Sequence, residues 1–220
     1  MTPERITKLR AALRCRQLDL TVLMEGVHKV HNLAAIGRSS EAVGVHRIHA
    51  VSDKPIKLTQ DAACGVGKFL KVVTHKTVQE GVAELKSQGF AIYAAHMAED
   101  GLDYRDLDCT QPLALMMGSE LNGVSEEALA LCDGSVHIPM LGVVGSLNVS
   151  VAAALLLFEA KSQRRRAGMY ETQKISDEEH DRLLFEWAYP RVADSYRRKK
   201  LPYPPLDEDG DLIIEKRVLS

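Results

Sequence analysis

The 220-residue sequence predicts an α/β protein with a mostly parallel β-sheet, flanking helices and helical extensions at both chain ends. Short apolar segments alternate with amphipathic segments across 20–160, an order typical of parallel sheets. Lys and Arg cluster outside that part of the chain. We therefore divide the chain into a basic N-terminal helix (1–19), an α/β core (20–160) and a basic helical C-terminal extension (161–220), and expect both extensions to bind RNA.

Six short apolar segments are the candidate strands of the core. They comprise residues 20–25, 45–51, 70–74, 91–95, 113–117 and 135–138. Helices are predicted where apolar side chains recur every three or four residues, over 3–16, 32–43, 78–88, 126–131 and 146–166. Asn32 and Ser125 have side chains suited to N-caps, and Gly44 and Gly89 stand where helix-terminating glycines belong.

The composition is that of a globular protein in a reducing compartment. Hydrophobic residues make up 45% of the chain, which is enough for a sizeable core. The four cysteines form no C-x-x-C pair, so we expect reduced thiols and neither a disulfide framework nor a zinc site. The longest apolar run, 149–158, is too short to span a bilayer, and the charged N-terminus indicates no export signal. We expect a cytoplasmic protein without a membrane partner.

The distribution of charge favours a nucleic-acid partner, although the formal net charge is only −2. Three basic clusters lie near the chain ends and could together bind phosphates. For any single cluster, an ordinary solvated helix face is an equally good interpretation. The candidate RNA-binding residues are Lys8, Arg10, Arg14, Arg164, Arg165, Arg166 and Arg197.

Several widespread cofactor motifs are missing from the sequence. It has no Walker A motif, no G-x-S-x-G elbow and no G-x-G-x-x-G motif, and the Gly-x-Gly at 65–67 precedes a predicted strand instead of following one. His46 and His49 lie three apart on a predicted strand and should face opposite sides. His28 and His31 have no Glu or Cys companion at a metal-binding spacing, so we expect no metal site.

Three other segments of the core contain polar residues and glycines in distinctive patterns. The first is His31-Asn32-Leu33-Ala34-Ala35-Ile36-Gly37-Arg38, and the second is Met117-Gly118-Ser119-Glu120-Leu121-Asn122-Gly123. The third consists of Ile138-Pro139-Met140 followed by Ser146-Leu147-Asn148-Val149-Ser150. Together they resemble the three motifs of the SpoU branch of the SPOUT methyltransferases, and the resemblance to TrmH-type enzymes extends over nearly the whole chain.

This resemblance implies a fold, an assembly and a reaction. The fold would contain a deep trefoil knot near the C-terminal end of the sheet, and the protein would be a homodimer. The reaction would transfer a methyl group from S-adenosylmethionine to the ribose 2′-hydroxyl of guanosine 18 in the D-loop of tRNA, with no metal.

The resemblance also implies a cofactor site in the knotted loops, formed largely by main-chain groups. Its residues would be Ala95, Gly118, Ile138, Met140 and Leu147. Close relatives often have Thr at the position of Ala95, so no side-chain hydroxyl contact is expected there.

Catalytic roles are implied for Arg38, Asn32, Glu120, Ser146 and Asn148. An arginine stays protonated in proteins, so we expect Arg38 to hold a substrate phosphate and stabilise the developing alkoxide instead of acting as a base. Without the motifs, Arg38 would be interpreted as an exposed helix residue, and the other four as caps, turns and helix starts.

Three alternative functions stay open at this level. Ribosomal-RNA ribose methyltransferases belong to the same branch but often carry a separate N-terminal RNA-binding domain, whereas only residues 1–19 precede the first predicted strand here. A non-catalytic RNA-binding factor with this fold would be expected to lack Arg38 or the cofactor loops. A methyltransferase that acts on a base would lack the pairing of Asn32 with Arg38.

Overall fold

The structure is a computed structural model that describes residues 2–56, 65–98 and 100–213. The chain divides into a core unit, Gln17–Met169, and a terminal unit that combines the described parts of Met1–Arg16 and Tyr170–Ser220. The boundaries predicted from the sequence lie after residues 19 and 160. The second boundary lies further along because the last helix of the core unit continues to Arg166.

The core unit contains a seven-stranded sheet in which every paired strand is parallel to its neighbour. The predicted α/β class with a mostly parallel sheet is confirmed. The two-residue β5 was not predicted, because so short a segment has no periodicity to detect. The order across the sheet is β3-β2-β1-β6-β4-β7-β5. The strands are β1 (Leu20–Met24), β2 (Arg47–Val51), β3 (Lys71–His75), β4 (Ala91–Ala95), β5 (Leu102–Asp103), β6 (Leu113–Met117) and β7 (Gly134–His137).

Helices cover both faces of this sheet. Helices α2 and α5 pack on one face, and α3 and α4 pack on the other. A short 3-10 helix also occupies Val66–Lys68. The α-helices are α1 (Pro3–Arg14), α2 (Val30–Ala42), α3 (Val78–Ser87), α4 (Glu126–Leu129), α5 (Val149–Arg166), α6 (Asp177–Ala188) and α7 (Pro190–Arg198).

The two central strands, β1 and β6, are buried along their whole length. Their side chains alternate between the two faces, as the two-residue period of a strand requires. Leu20 and Val22 join the cluster beneath α2 and α5, whereas Leu23 joins the cluster beneath α3. Strands that are buried on both faces have continuous apolar sequences, which explains why these segments could be located from the sequence.

The structure confirms one predicted N-cap and contradicts another. The Ser125 hydroxyl accepts a hydrogen bond from the Ala128 amide at 3.1 Å and caps α4. Helix α2, however, begins at Val30 after Lys29, so Asn32 lies within the helix and does not cap it. The prediction was wrong because the Asn32 amide bonds to a distant loop and not to the first turn of its own helix.

A buried histidine pair joins β2 and β3. Nδ1 of His49 lies 2.9 Å from Nε2 of His75, and the two rings stack with centroids 5.2 Å apart. Burial, with smaller contributions from His75 and Arg47, lowers the pKa of His49 to about 4. Among the residues that the structure describes, no group of three or more His, Cys, Asp or Glu is arranged to hold a metal ion.

The terminal unit consists of α1, α6 and α7 around an aromatic cluster. The Phe185 ring stacks on Tyr203 at 4.5 Å and meets Tyr196 edge-on at 6.0 Å. The guanidinium of Arg16 lies 5.0 Å from the centroid of the Trp187 ring, within the range of a cation–π interaction. The helical character predicted for both chain ends is confirmed.

None of the described helices combines the length and the apolar character that crossing a membrane requires.

Candidate active site

A cavity of about 520 Å³ lies where β4, β6 and β7 end. The carboxyl ends of parallel strands meet at one edge of a sheet, which is the usual place for a ligand site in an α/β fold. The loops after these three strands and the first turns of α5 form the cavity. All five residues predicted to bind the cofactor line it: Ala95, Gly118, Ile138, Met140 and Leu147.

Gly118 allows the loop after β6 to fold closely upon itself. The amide of Ser119 donates to the Gly123 carbonyl at 2.8 Å, and the amide of Gly123 donates back to the Ser119 carbonyl at 3.0 Å. A Cβ atom on Gly118 would overlap the backbone of Gly123 and Val124. Only glycine therefore fits at this point of the cavity wall.

Three of the predicted catalytic residues form one hydrogen-bonded chain. Asn32 Nδ2 donates to Glu120 Oε1 at 2.5 Å, and Asn148 Nδ2 donates to Asn32 Oδ1 at 3.3 Å. Asn148 also caps α5, since its Oδ1 accepts from the Ser150 amide at 2.8 Å. The hydrogen bond from Asn32 holds the pKa of the Glu120 carboxyl below its ordinary value. These hydrogen bonds thus join α2, the loop after β6 and the start of α5 beside the cavity.

The other two predicted catalytic residues are placed differently. Ser146 is exposed and lines the cavity. Arg38 is also exposed, but it projects from α2 and is not part of the cavity wall. Within the described part of a single chain, the structure therefore brings Asn32, Glu120, Asn148 and Ser146 together and leaves Arg38 apart from them.

Lys29, His96 and His137 also border the cavity, although the sequence did not predict them as site residues. His96 and His137 stand at or just beyond the ends of β4 and β7. The position of residues at the carboxyl ends of parallel strands was the signal that could have identified them. Nδ1 of His137 is buried, and the described part of the protein offers it no hydrogen-bond partner.

The structure corrects one member of the predicted RNA-binding set. Arg164 is fully buried in the core unit and pairs with Asp19 at 2.5 Å. Its guanidinium also donates to Oε1 of Gln17 and to the carbonyls of Cys109, Asp19 and Gln111 at 2.8–3.1 Å. It is therefore unavailable to an RNA phosphate. The three consecutive arginines at the end of α5 do not indicate which one is buried, because successive side chains of a helix point in different directions.

The remaining candidates differ in how freely they could meet a phosphate. Lys8, Arg14 and Arg165 are exposed. Arg166 is exposed as well but lies 3.8 Å from a carboxylate oxygen of Glu159. The guanidinium groups of the other two already bond within the terminal unit: Arg10 donates to the carbonyls of Asp207 and Glu208, and Arg197 bonds to the Tyr203 hydroxyl and Asp194.

The chain is similar over most of its length to characterised enzymes. It is 46% identical over 215 residues to the tRNA (guanosine(18)-2′-O)-methyltransferase of Escherichia coli K12, which covers 96% of this chain and 94% of that one. It is also 46% identical over 187 residues to the enzyme of the same description from Thermus thermophilus, with 84% and 96% of the two chains covered.

Solved structures give the same relationship. The A. aeolicus TrmH/SpoU tRNA modifying enzyme has a TM-score of 0.79 at 36% identity, covering 86% of this chain and 97% of that one. The SpoU methyltransferase AviRb of Streptomyces viridochromogenes, solved in complex with the cofactor AdoMet, has a TM-score of 0.61 at 28% identity and covers 68% and 62%.

Two family models match consecutive parts of the sequence. The model of the SpoU rRNA methylase family matches residues 19–158, and the model of the SpoU rRNA methylase C-terminal region matches 162–215. The first match alone spans more than half of the chain and includes all three motif segments. The chain therefore belongs to the SpoU rRNA methylase family.

Proposed function

We propose that this protein transfers a methyl group from S-adenosylmethionine to the ribose 2′-hydroxyl of guanosine 18 in tRNA. The observation that carries the proposal is the cavity at the ends of β4, β6 and β7, which all five predicted cofactor residues line. The 46% identity to enzymes described as tRNA (guanosine(18)-2′-O)-methyltransferases supports the choice of substrate.

The cavity fits S-adenosylmethionine in size and in character. Its volume of about 520 Å³ lies within the range of small-molecule sites. Ile138, Met140 and Leu147 supply apolar surface, and Gly118 lets the loop backbone form the wall. Nδ1 of His137 adds a buried polar atom to which the described residues offer no partner. When bound, S-adenosylmethionine supplies a methyl group already activated on a sulfonium centre.

The residues of the chain then have to position and activate the ribose hydroxyl. Asn32 links Glu120 to Asn148, and we propose that this link fixes the cavity loops and orients the ribose. We propose that Arg38 binds a substrate phosphate and stabilises charge that develops on the ribose oxygen. A guanidinium remains protonated, so the proton of the hydroxyl would pass to a phosphate or to water.

We propose that the active protein is a homodimer. The exposed apolar side chains Leu121, Leu141, Val143 and Val144 lie in or beside the cavity loops, and Phe158 is half-exposed on α5. Apolar surface of this kind typically marks a protein interface. The position of Arg38 outside the cavity of its own chain supports an assembly in which a second subunit completes the site.

The trefoil knot and the cytoplasmic location are further parts of this proposal. The knot rests on the resemblance of the three motif segments to those of the SPOUT methyltransferases. The location is supported by Cys109 and Cys132, whose thiols are not joined in a disulfide, since reduced thiols are typical of the cytosol.

The test is methyl transfer from labelled S-adenosylmethionine to an unmodified tRNA transcript and to one in which guanosine 18 is replaced. We expect only the first transcript to be labelled, at the ribose of that nucleotide. Equal labelling of both would show that the target nucleotide is wrong. Labelling of ribosomal RNA alone would replace tRNA as the substrate, and failure of the protein to bind S-adenosylmethionine by calorimetry would favour a non-catalytic RNA-binding factor.

A further inference from the structure

The terminal unit contains a second cavity, of about 650 Å³, that the proposed methyl transfer does not use. It is formed between α1, α6, α7 and the segment 200–206. Much of its wall is apolar, and several residues of that wall are leucines and prolines of the 201–206 segment. Among the described residues, the charged side chains of this wall are four cations and two acids: Arg10, Arg182, Arg197, Lys200, Glu178 and Asp181. A wall that combines apolar surface with cations and acids can hold a ligand that has both an apolar ring and an anionic group.

Tyr203 lines this cavity, and its ring is held in place by several contacts. Its ring stacks at 4.5 Å on Phe185, which is 1% exposed, so a second ring could stack only on the opposite face. The Tyr203 hydroxyl donates to Glu186 Oε1 at 3.1 Å and accepts from Arg197 Nε at 3.3 Å. A ring held in this way loses little conformational freedom when a second ring stacks on it.

Lys200 occupies an unfavourable backbone conformation at the rim of the cavity. Its φ of 53° makes it the one non-glycine residue with positive φ in the described ranges. It closely follows α7, where glycine or asparagine is usually found because a side chain strains this conformation. Its ammonium has no hydrogen-bond or ion-pair partner in the part of the chain that the structure describes. The ammonium at the cavity wall is therefore available to an anionic ligand.

The other cations of the cavity are already engaged within the protein. Arg182 lies within 3.3 Å of carboxylate oxygens of Glu179 and Glu186. Arg10 donates to two backbone carbonyls at 2.6 Å. Lys200 is thus the cation best able to hold a new anion.

We propose that this cavity binds one unstacked nucleotide of the tRNA substrate. The base stacks on Tyr203, its N–H groups meet the carboxylates of Glu178 and Asp181, and the adjoining phosphate binds the ammonium of Lys200. Stacking of an unpaired base on an aromatic ring, together with a basic residue on the backbone, is the usual means of holding single-stranded RNA. The proposal rests on the proposed function, because it takes tRNA as the partner.

The test compares the same substitution at two adjacent lysines in the full chain. Lys200→Gln removes the charge that lines the cavity, and Lys199→Gln removes an exposed charge that does not. We expect Lys200→Gln to lower the slope of log affinity for unmodified tRNA against log salt by about one, the value for one lost phosphate contact. Lys199→Gln should leave the slope close to that of the unaltered protein.

Three further variants separate binding from folding. Lys200→Gly removes the charge but relieves the backbone strain, so we expect a melting temperature at or above that of the unaltered protein together with the same loss of slope. Tyr203→Phe keeps the ring and should bind tRNA normally, whereas Tyr203→Leu should weaken binding roughly 5- to 150-fold, the effect of one lost base stack.

The outcomes distinguish the nucleotide site from the proposed reaction. Equal slopes for the two glutamine variants would overturn the nucleotide site, even if the unaltered protein methylates guanosine 18. A selective effect at Lys200 without any methyl transfer would support the site and count against the reaction. If the unaltered protein does not bind tRNA at all, both proposals are wrong.

Discussion

At the scale of single residues, the side chains around the cavity separate into those fixed by the fold and those left exposed. Asn32 is 2% exposed and bonds to partners from two other segments of the chain. Buried amides of this kind stabilise a structure only when their hydrogen bonds are satisfied. Arg38, by contrast, is exposed on the same helix. A side chain that contributes little to folding is free to act on a substrate.

The first prediction concerns Arg38. Arg38→Ala should reduce methyl transfer about 10²- to 10³-fold, because one preorganised donor to the developing charge is lost. The melting temperature, the affinity for S-adenosylmethionine and the oligomeric state should stay unchanged, since the residue is exposed. Single-turnover labelling of tRNA measures the first quantity, and calorimetry and sedimentation measure the others. Near-normal turnover would remove Arg38 from the mechanism.

The second prediction concerns the buried His49. Its pKa falls from the ordinary 6.5 to about 4 in the folded chain, so the unfolded chain binds more protons between these pH values. The free energy of unfolding should therefore decrease as the pH falls from 6.5 towards 4, by up to about 3 kcal/mol. Urea unfolding at a series of pH values measures this decrease.

Two substitutions serve as controls for the pH effect. His49→Gln should make this part of the pH dependence disappear, because the titrating group is gone. His28→Gln, at an exposed position, should leave it intact. A pH profile that is identical in all three proteins would assign the decrease to other groups.

At the scale of secondary-structure elements, loops and helix ends position the site, while the strands serve as its frame. The loop after β6 depends on the missing side chain of Gly118, and the start of α5 depends on the cap from Asn148. The end of α5 is held by Arg164, which bonds to residues that precede β6 and β1. Both ends of α5 are thus fixed by polar contacts, and its middle is fixed by apolar packing.

The third prediction concerns the loop after β6. Gly118→Ala should displace the loop, because the new Cβ would overlap the backbone of Gly123 and Val124. We expect a loss of about 1–3 kcal/mol in stability, as for other overpacked sites, and a clear loss of S-adenosylmethionine binding by calorimetry. The matched control is Gly142→Ala, where an added Cβ meets no atom within 4 Å. Equal binding by both variants would contradict the role assigned to this loop.

The fourth prediction separates two neighbouring arginines of α5. Arg164→Met should destabilise the protein by about 3 kcal/mol, because it leaves Asp19 and several carbonyls without their partner. Arg165→Met, at an exposed position, should change stability by less than about 0.5 kcal/mol. If Arg165 contacts a phosphate, the salt slope for tRNA should fall by about one. Urea unfolding and tRNA titration measure the two effects, and equal destabilisation would contradict the burial of Arg164.

At the scale of the whole molecule, exposed apolar side chains lie in or beside the cavity loops. Leu141 and Val143 are fully exposed, and Leu121 is 94% exposed. Exposed apolar side chains that lie close together typically mark an interaction surface, and we therefore assign these residues to the proposed dimer interface. An assembly through this surface would place a second subunit beside the cavity.

The fifth prediction tests that assembly. Val143→Asp introduces a charge into the proposed interface, and we expect sedimentation to show a dimer for the unaltered protein and monomers for this variant at the same concentration. Methyl transfer should fall with it, because the site would lack its second subunit. Ile213→Asp alters a half-exposed apolar residue of the terminal unit and should leave the dimer intact. A dimeric and active Val143→Asp protein would place the interface elsewhere.

The sequence by itself determined the α/β class, the position of most helices and strands, and the three motif segments, two of which line the cavity while the first bonds to them through Asn32. These features follow from local periodicity and from short motifs, which the order of residues alone reveals. The tertiary structure decided which side chains meet. Asn32 bonds across 88 positions to Glu120, and Arg164 bonds across 145 positions to Asp19. Neither contact leaves a local signal, because the choice between a cap and a tertiary partner, or between an exposed and a buried cation, depends on atoms that only folding brings near.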